Sequence, residues 1–348
     1  MAKIHGLAIT ITALLALIPA ARAQDNDALY ASARRGGALV LYTGGPAAPW
    51  ERTAEQFQLL YPAIKVSITG GFSNVLDQQV DDQLGAKKLE VDAVIFQTLA
   101  DFVRWKAQQV LLAFKPQGWD RIDDSFKDVD GAFVGIAVNA HPYEYNTRLV
   151  AAADVPRSAS DFLKPMFRGR IVTCYPADDD ATLYVMYSIV QKYGWGYMDR
   201  YMANQPVFIQ GHLGAQHSIA AGANLVTFDS VMDMTLRQIE AGDPVGWAIS
   251  STDPLPIWPL TAAIFKDAPH ADAAKLFLNW FLAPEQQRRM HSWSVRSDVP
   301  PPPGLRPILS YNVVNNYRAF LSDTALIATL RQRFAAYSGP IVNTGGVR

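Results

Sequence analysis

Ala38-Leu39-Val40-Leu41-Tyr42-Thr43-Gly44-Gly45-Pro46, followed after Pro49-Trp50 by Ala54, Phe57, Leu60 and Tyr61 and then by Ile64-Lys65-Val66-Ser67-Ile68-Thr69-Gly70-Gly71, decides the fold class. The first run is apolar with β-branched and aromatic members and breaks at Gly44-Gly45, which predicts a buried strand ending in a glycine loop. Helical spacing of the next apolar residues, stopped by Pro62, predicts a helix. Ile64, Val66 and Ile68 then alternate strictly, as a second strand does. In an open parallel sheet the crevice beyond the carboxyl ends of the strands is where ligands sit, so Thr43 to Trp50 is expected to face one.

The same pattern extends in both directions. Residues 27–35 predict a leading helix. Val75, Leu76, Val80 and Leu84 follow Ser73-Asn74, which reads as a capped helix. Val91 to Phe96 is a third strand, cut off at Gln97-Thr98, and Leu99 to Val110 is helical. Three strand-then-helix units in succession argue for a doubly wound α/β sheet. Beyond Phe133 to Asn139, strands are expected at 169–175, 206–210, 225–228 and 245–249. Helices are expected at 181–193, 214–221 and 231–241, so this section reads as a second α/β lobe. Ile257 to Phe265 is extended, Ala271 to Met290 a strongly apolar helix, and helices close the chain near 313–321 and 324–336.

Composition narrows the function classes. Leu7 to Pro19 is nearly free of polar side chains, follows Lys3 and precedes Ala21-Arg22-Ala23, the pattern of a secretory leader cleaved after Ala23. No cysteine stands immediately after that point, so no lipid anchor is expected there. The single Cys174 rules out an internal disulfide and, lying inside a strand, reads as a core thiol rather than a nucleophile. A net charge of −1 gives no sign of nucleic acid or an acidic membrane as partner. The sequence holds no G-x-S-x-G, H-E-x-x-H, G-x-x-x-x-G-K-[ST] or G-x-G-x-x-G motif, and no enzyme is expected.

Taken together, Val40-Leu41-Tyr42-Thr43-Gly44, Tyr61-Pro62-Ala63-Ile64-Lys65-Val66, Val91-Asp92-Ala93-Val94, Tyr145-Asn146-Thr147 and the late segment Leu276 to Gln287 resemble the extracellular solute-binding proteins of ABC importers. The group includes ferric-iron, phosphonate and sugar-phosphate binders. That resemblance implies the α/β, two-lobe periplasmic binding protein fold with a hinge and an interlobe cleft. It implies residues 24–139 and 257–300 in lobe 1, 140–256 in lobe 2, and C-terminal helices over 301–348 packing on a lobe, after a leader at 1–23. It further implies a periplasmic monomer with a small-molecule solute and with permease and ATPase subunits as partners, without a cofactor. Ferric-iron members carry adjacent tyrosines in the passage corresponding to Ala220 to Ser230. Here that passage has none, so a small polar organic solute is expected. The alternatives are ferric or another metal ion, or an exported metal-dependent enzyme on the same scaffold.

Candidate site residues follow from these strand ends. Thr43, Gly44 and Gly45 offer backbone N–H groups and a hydroxyl. Ser73, Asn74, Gln97 and Thr98 occupy the equivalent ends of the next two strands and also read as helix caps. Asp178, Asp179, Asp180 and Thr182 open the long helix of the second lobe, either capping it or meeting the solute, in which case the acids favour a cationic or amine-bearing group, or a bound metal. Asp229 is the next-to-last residue of the Ala220 to Ser230 passage. Trp50, Phe72, Tyr143 and Tyr175 are placed to stack on an organic solute. Tyr145 reads as a hinge residue. His212 and His217, five apart, do not share a helix face and make a poor metal pair.

Overall fold

A computed structural model describes residues 26–342, so the expected leader lies outside the described residues. In chain order the elements begin α1 (Asn26–Gly36), β1 (Ala38–Gly44), α2 (Ala47–Leu60), β2 (Lys65–Gly71), α3 (Ser73–Gly85), β3 (Ala93–Phe96), α4 (Leu99–Ala107) and β4 (Val134–Ala140). The middle section holds β5 (Tyr143–Asn146), β6 (Val172–Cys174), α5 (Asp180–Tyr193), α6 (Trp195–Ala203), β7 (Val207–Ile209), α7 (His212–Ala220), β8 (Val226–Thr227), α8 (Met232–Glu240) and β9 (Val245–Ala248). The chain ends with β10 (Leu255–Ile264), α9 (Ala271–Phe281), α10 (Pro284–Gln287), β11 (Val313–Val314), α11 (Tyr317–Ser322) and α12 (Thr324–Ser338).

The opening unit forms as its sequence dictates. β1 pairs in parallel with β2 and with β3, and β10 returns antiparallel between β3 and β4. The resulting order is β11-β10-β3-β1-β2, with β4 on β10. Alternation along β3 serves two cores at once: Val94 and Phe96 enter one apolar cluster, Ala93 and Ile95 the other. Successive side chains of a strand point to opposite faces, so a strand buried on both faces is apolar throughout. A second set of strands, β8-β5-β9 and β6-β7, forms the other lobe of this two-lobe α/β fold. The chain leaves the large sheet after Ala140 and rejoins it at Leu255.

Three local expectations fail for definable reasons. The helix expected over 271–290 is divided, because Pro284 forces Ala283 into extended backbone (φ −61°, ψ 142°) and a short new helix starts at the proline. Val313 and Val314 form an edge strand on β10 rather than helix. Ser73 is the first helical residue of α3, not its cap, and its hydroxyl instead reaches Gln97 Oε1 at 2.9 Å. The aromatic packing of α9 holds: Phe277 and Trp280 each meet Phe57 of α2 at 5.4 Å between ring centroids.

The C-terminal segment touches elements of both lobes. Arg318 of α11 donates to the Lys127 carbonyl at 3.0 Å and lies over Phe133. On the other side Phe320 meets Tyr184 and Tyr187 of α5, and the Tyr184 hydroxyl donates to Asn316 at 2.7 Å. α12 then runs along α5 and carries Arg331 to the cleft.

Candidate functional site

A polar cavity lies between the ends of α3 and α4 on one side and α5 and α7 on the other. It gathers Phe72, Ser73, Asn74, Gln97 and Thr98 from the large-sheet lobe with Tyr175, Asp178, Asp179 and Asp180 from the second. Those nine were candidates on sequence grounds. The lobes approach closely here, since a Cβ built on Gly211 (φ +81°) would stand 3.4 Å from the Phe72 ring.

Four helix N-termini meet at this cavity. The N-cap residues Phe72 of α3, Thr98 of α4 and Gly211 of α7 line it, and none supplies a side-chain cap. The first-turn N–H groups of a helix point out of that end and lack intrahelical partners, so each such end favours an acceptor or an anion. The Thr98 hydroxyl is buried without a partner. The fourth end, that of α5, is already satisfied, because Asp179 accepts from the N–H groups of Ala181 and Thr182 at 2.9 Å.

The three acids are each engaged within the protein. Asp178 accepts from the Gln210 amide at 2.8 Å. Asp180, which burial pushes above the ordinary carboxyl pKa against the pull of Arg331, pairs with the Arg331 guanidinium at 2.5 Å. Arg331 keeps nearly half of its side chain exposed, and its remaining N–H groups are available at the cavity.

The other seven candidates do not line this cavity. Thr43 is fully buried with its hydroxyl unpartnered. Gly45 is tied to the Gly71 carbonyl at 2.8 Å with φ +87°, a turn that glycine accepts without strain. Gly44 acts from behind, since a Cβ there would stand 2.5 Å from Ser73 Oγ and 2.6 Å from Gln97 Oε1, and only glycine lets those two side chains settle at the strand end. Trp50 turns away and packs on Phe281 at 5.7 Å. Tyr143 points toward the crossing between the lobes, where its hydroxyl donates to Asp253 at 2.5 Å beside a separate cavity of about 330 Å³. Tyr145 is its neighbour on β5, paired with Gly246 and Val226.

Thr182 and Asp229 lie beneath the cavity floor. Asp229 is fully buried and accepts from the Cys174 N–H at 2.9 Å and from the hydroxyls of Thr173 and Thr182 at 3.1 Å and 3.0 Å. His212 Nε2 stands 3.1 Å from it. Burial opposes charge on both groups. The paired charges outweigh that, so His212 binds its proton well above the ordinary imidazole pKa and Asp229 falls to about 2. Burial pushes the Cys174 thiol up to about 12, consistent with its reading as a core thiol. His217 is exposed and takes no part in this cluster.

Sequence reasoning missed Arg331, Gly211 and Cys174 as cavity residues. Nothing local marks Arg331, which stands on the last helix, 151 residues from its partner Asp180.

This two-lobe architecture with a polar cleft at helix ends defines a solute-binding class of protein, and comparison with known proteins supports it. The chain matches the family described as bacterial extracellular solute-binding protein over residues 97–302, more than half its length, and belongs to that family. No curated protein matches it. Similar solved structures include the periplasmic binding protein AfuA from Actinobacillus pleuropneumoniae with fructose-6-phosphate bound, at 16% identity and a TM-score of 0.73, covering 86% of this chain and 98% of that one. Iron-bound HitA from Pseudomonas aeruginosa aligns at 18% identity and a TM-score of 0.69, covering 85% and 99%. The substrate-binding protein of an ABC transporter from Agrobacterium tumefaciens aligns at 13% and 0.71, covering 86% and 94%. At these identities the likeness establishes the shared fold.

Proposed function

We propose that this chain is the periplasmic receptor of an ABC importer, and that its cleft captures a small polar organic solute through an anionic group. The observation that carries the reading is the convergence of three helix N-termini without a side-chain cap and the Arg331 guanidinium on one cavity whose acids are already partnered. This sets the helix ends and Arg331 against the cationic preference expected from Asp178 to Asp180 alone. Asn74 and the Gln97 amide supply further donors, while Phe72 and Tyr175 offer ring faces for the organic part of the solute. The fructose-6-phosphate bound to AfuA is a solute of this chemical kind. Tyr175 is the one tyrosine among the residues lining the cavity, which does not supply the phenolate pair of a ferric site.

Contact with both lobes lets the solute stabilise a closed form over an open one, which a membrane permease with its ATPase can then recognise. The test is a thermal-shift screen of carboxylated and phosphorylated solutes against neutral and cationic analogues, followed by calorimetry on hits. Anionic solutes are expected to raise the melting temperature. Arg331→Ala is expected to weaken their binding roughly tenfold to a hundredfold, since a hydrogen bond to a charged group contributes about 1.5–3 kcal/mol. Stabilisation by amines alone would overturn the reading.

A further inference from the structure

Beneath the cleft floor, three side chains that ligate metals meet from separate parts of the chain. His141 comes from the crossing after β4, His212 from the first turn of α7 and Asp229 from the end of β8. One ring nitrogen of each histidine and one Asp229 oxygen lie within 4.8 Å of one another. His212 Nε2 is 3.1 Å from Asp229 Oδ1, and the Nδ1 side of the His141 ring, whose hydrogen goes to a backbone carbonyl, is 3.6 Å from it.

The His141 ring is set as a metal-ligating imidazole usually is. Its Nδ1 stands 2.7 Å from the Ser230 carbonyl, which only accepts, so Nδ1 carries the hydrogen and Nε2 a lone pair. That Nε2 is buried and meets no donor. Stacking on Trp258 at 4.2 Å between centroids fixes the ring plane. A histidine oriented through one nitrogen by a backbone carbonyl, with the other left as an acceptor, is the second-shell pattern of bound metals. A buried acceptor without a partner otherwise costs free energy.

We propose that His141, His212 and Asp229 form a binding site for a divalent transition cation of the zinc type. Two imidazoles and a carboxylate suit such an ion once it displaces the proton that His212 otherwise shares with Asp229. Cys174 lines the cavity above and its N–H bonds Asp229 at 2.9 Å, so the cluster lies directly beneath the cleft with a soft donor next to it. Bonds of about 2.0–2.2 Å to a tetrahedral ion place ligand atoms roughly 3.4 Å apart. Ligand atoms that lie up to 4.8 Å apart must therefore draw together. Because His141 sits on a crossing between lobes while the other two belong to the second lobe, that contraction pulls the crossing inward and ties the ion to the hinge.

The test is titration of the full chain, free of tag histidines, with Co(II) and then Zn(II). One equivalent of Co(II) with the visible absorption of a tetrahedral site, displaced by Zn(II), is expected. His141→Gln replaces a neutral side chain with a neutral one and is expected to weaken uptake at least tenfold, whereas His217→Gln leaves it unchanged. Should His141→Gln fail to fold, the wild type still decides: Zn(II) must shift the ring ¹⁵N resonances of His141 and His212 and leave those of His217 and His291 in place. Absence of stoichiometric uptake, uptake equal in wild type and His141→Gln, or unmoved His141 and His212 resonances would each overturn the proposal. Solute binding through Arg331 is read out separately, so either result stands without the other.

Discussion

Glu144→Gln tests the electrostatics of the second lobe with a magnitude fixed by the structure. Glu144 lies fully buried on β5, where Oε2 accepts from the Gln216 amide and the Thr235 hydroxyl, each at 2.5 Å, while Oε1 has no partner. Burial pushes its carboxyl from 4.5 to about 7, against the pull of those two donors. The folded chain therefore favours the protonated form. The contribution of this group to stability is greatest below pH 4.5 and declines as pH rises through about 7. At about 1.36 kcal/mol per pKa unit the full effect is about 3 kcal/mol, and most of it develops between pH 5 and pH 8. A glutamine keeps one oxygen as acceptor for both donors and cannot ionise. Urea unfolding of wild type and variant at pH 5, 6.5 and 8 is expected to show the variant gaining on the wild type by about 2–3 kcal/mol over that range. Parallel pH curves would refute the reasoning and mean that Glu144 is solvated or paired when charged.

Gly44→Ala is expected to force Ser73 and Gln97 off the strand end and reduce solute affinity roughly tenfold while the chain remains folded, read by calorimetry and circular dichroism side by side. Asp179→Ala removes the α5 cap and is expected to cost about 1 kcal/mol in urea unfolding, yet to leave anionic solute binding equal or tighter, because the freed helix end then faces the cavity. Phe320→Ala deletes a buried ring wedged against Tyr184 and Tyr187 and is expected to cost about 3 kcal/mol locally. Limited proteolysis should then release the C-terminal segment, and solute affinity should fall as Arg331 is lost with it.

The order of elements was legible because it rests on local geometry. Alternation in Ile64, Val66 and Ile68, the breaks at Gly44-Gly45 and Gly70-Gly71, and the helical spacing through Phe57 needed no tertiary information. Strand ends in a parallel sheet share one edge, so Ser73, Asn74, Gln97 and Thr98 could be assigned to one cleft before any contact was known. Tyr143 and Trp50 could not be assigned, since a loop position does not say which way its ring turns, and here Asp253 and Phe281 decide it.

The sequence by itself determined a strand–helix–strand fold, a second lobe and one edge where strand ends gather, because periodicity and glycine placement act within a few residues. Only the tertiary structure decided what the acids at that edge meet. Asp178, Asp179 and Asp180 read as an acidic face in one dimension, but Gln210, the α5 backbone and Arg331 satisfy them in three. Those partners come from as far as 151 residues away, and electrostatic character depends on distance in space, which spacing along the chain does not encode.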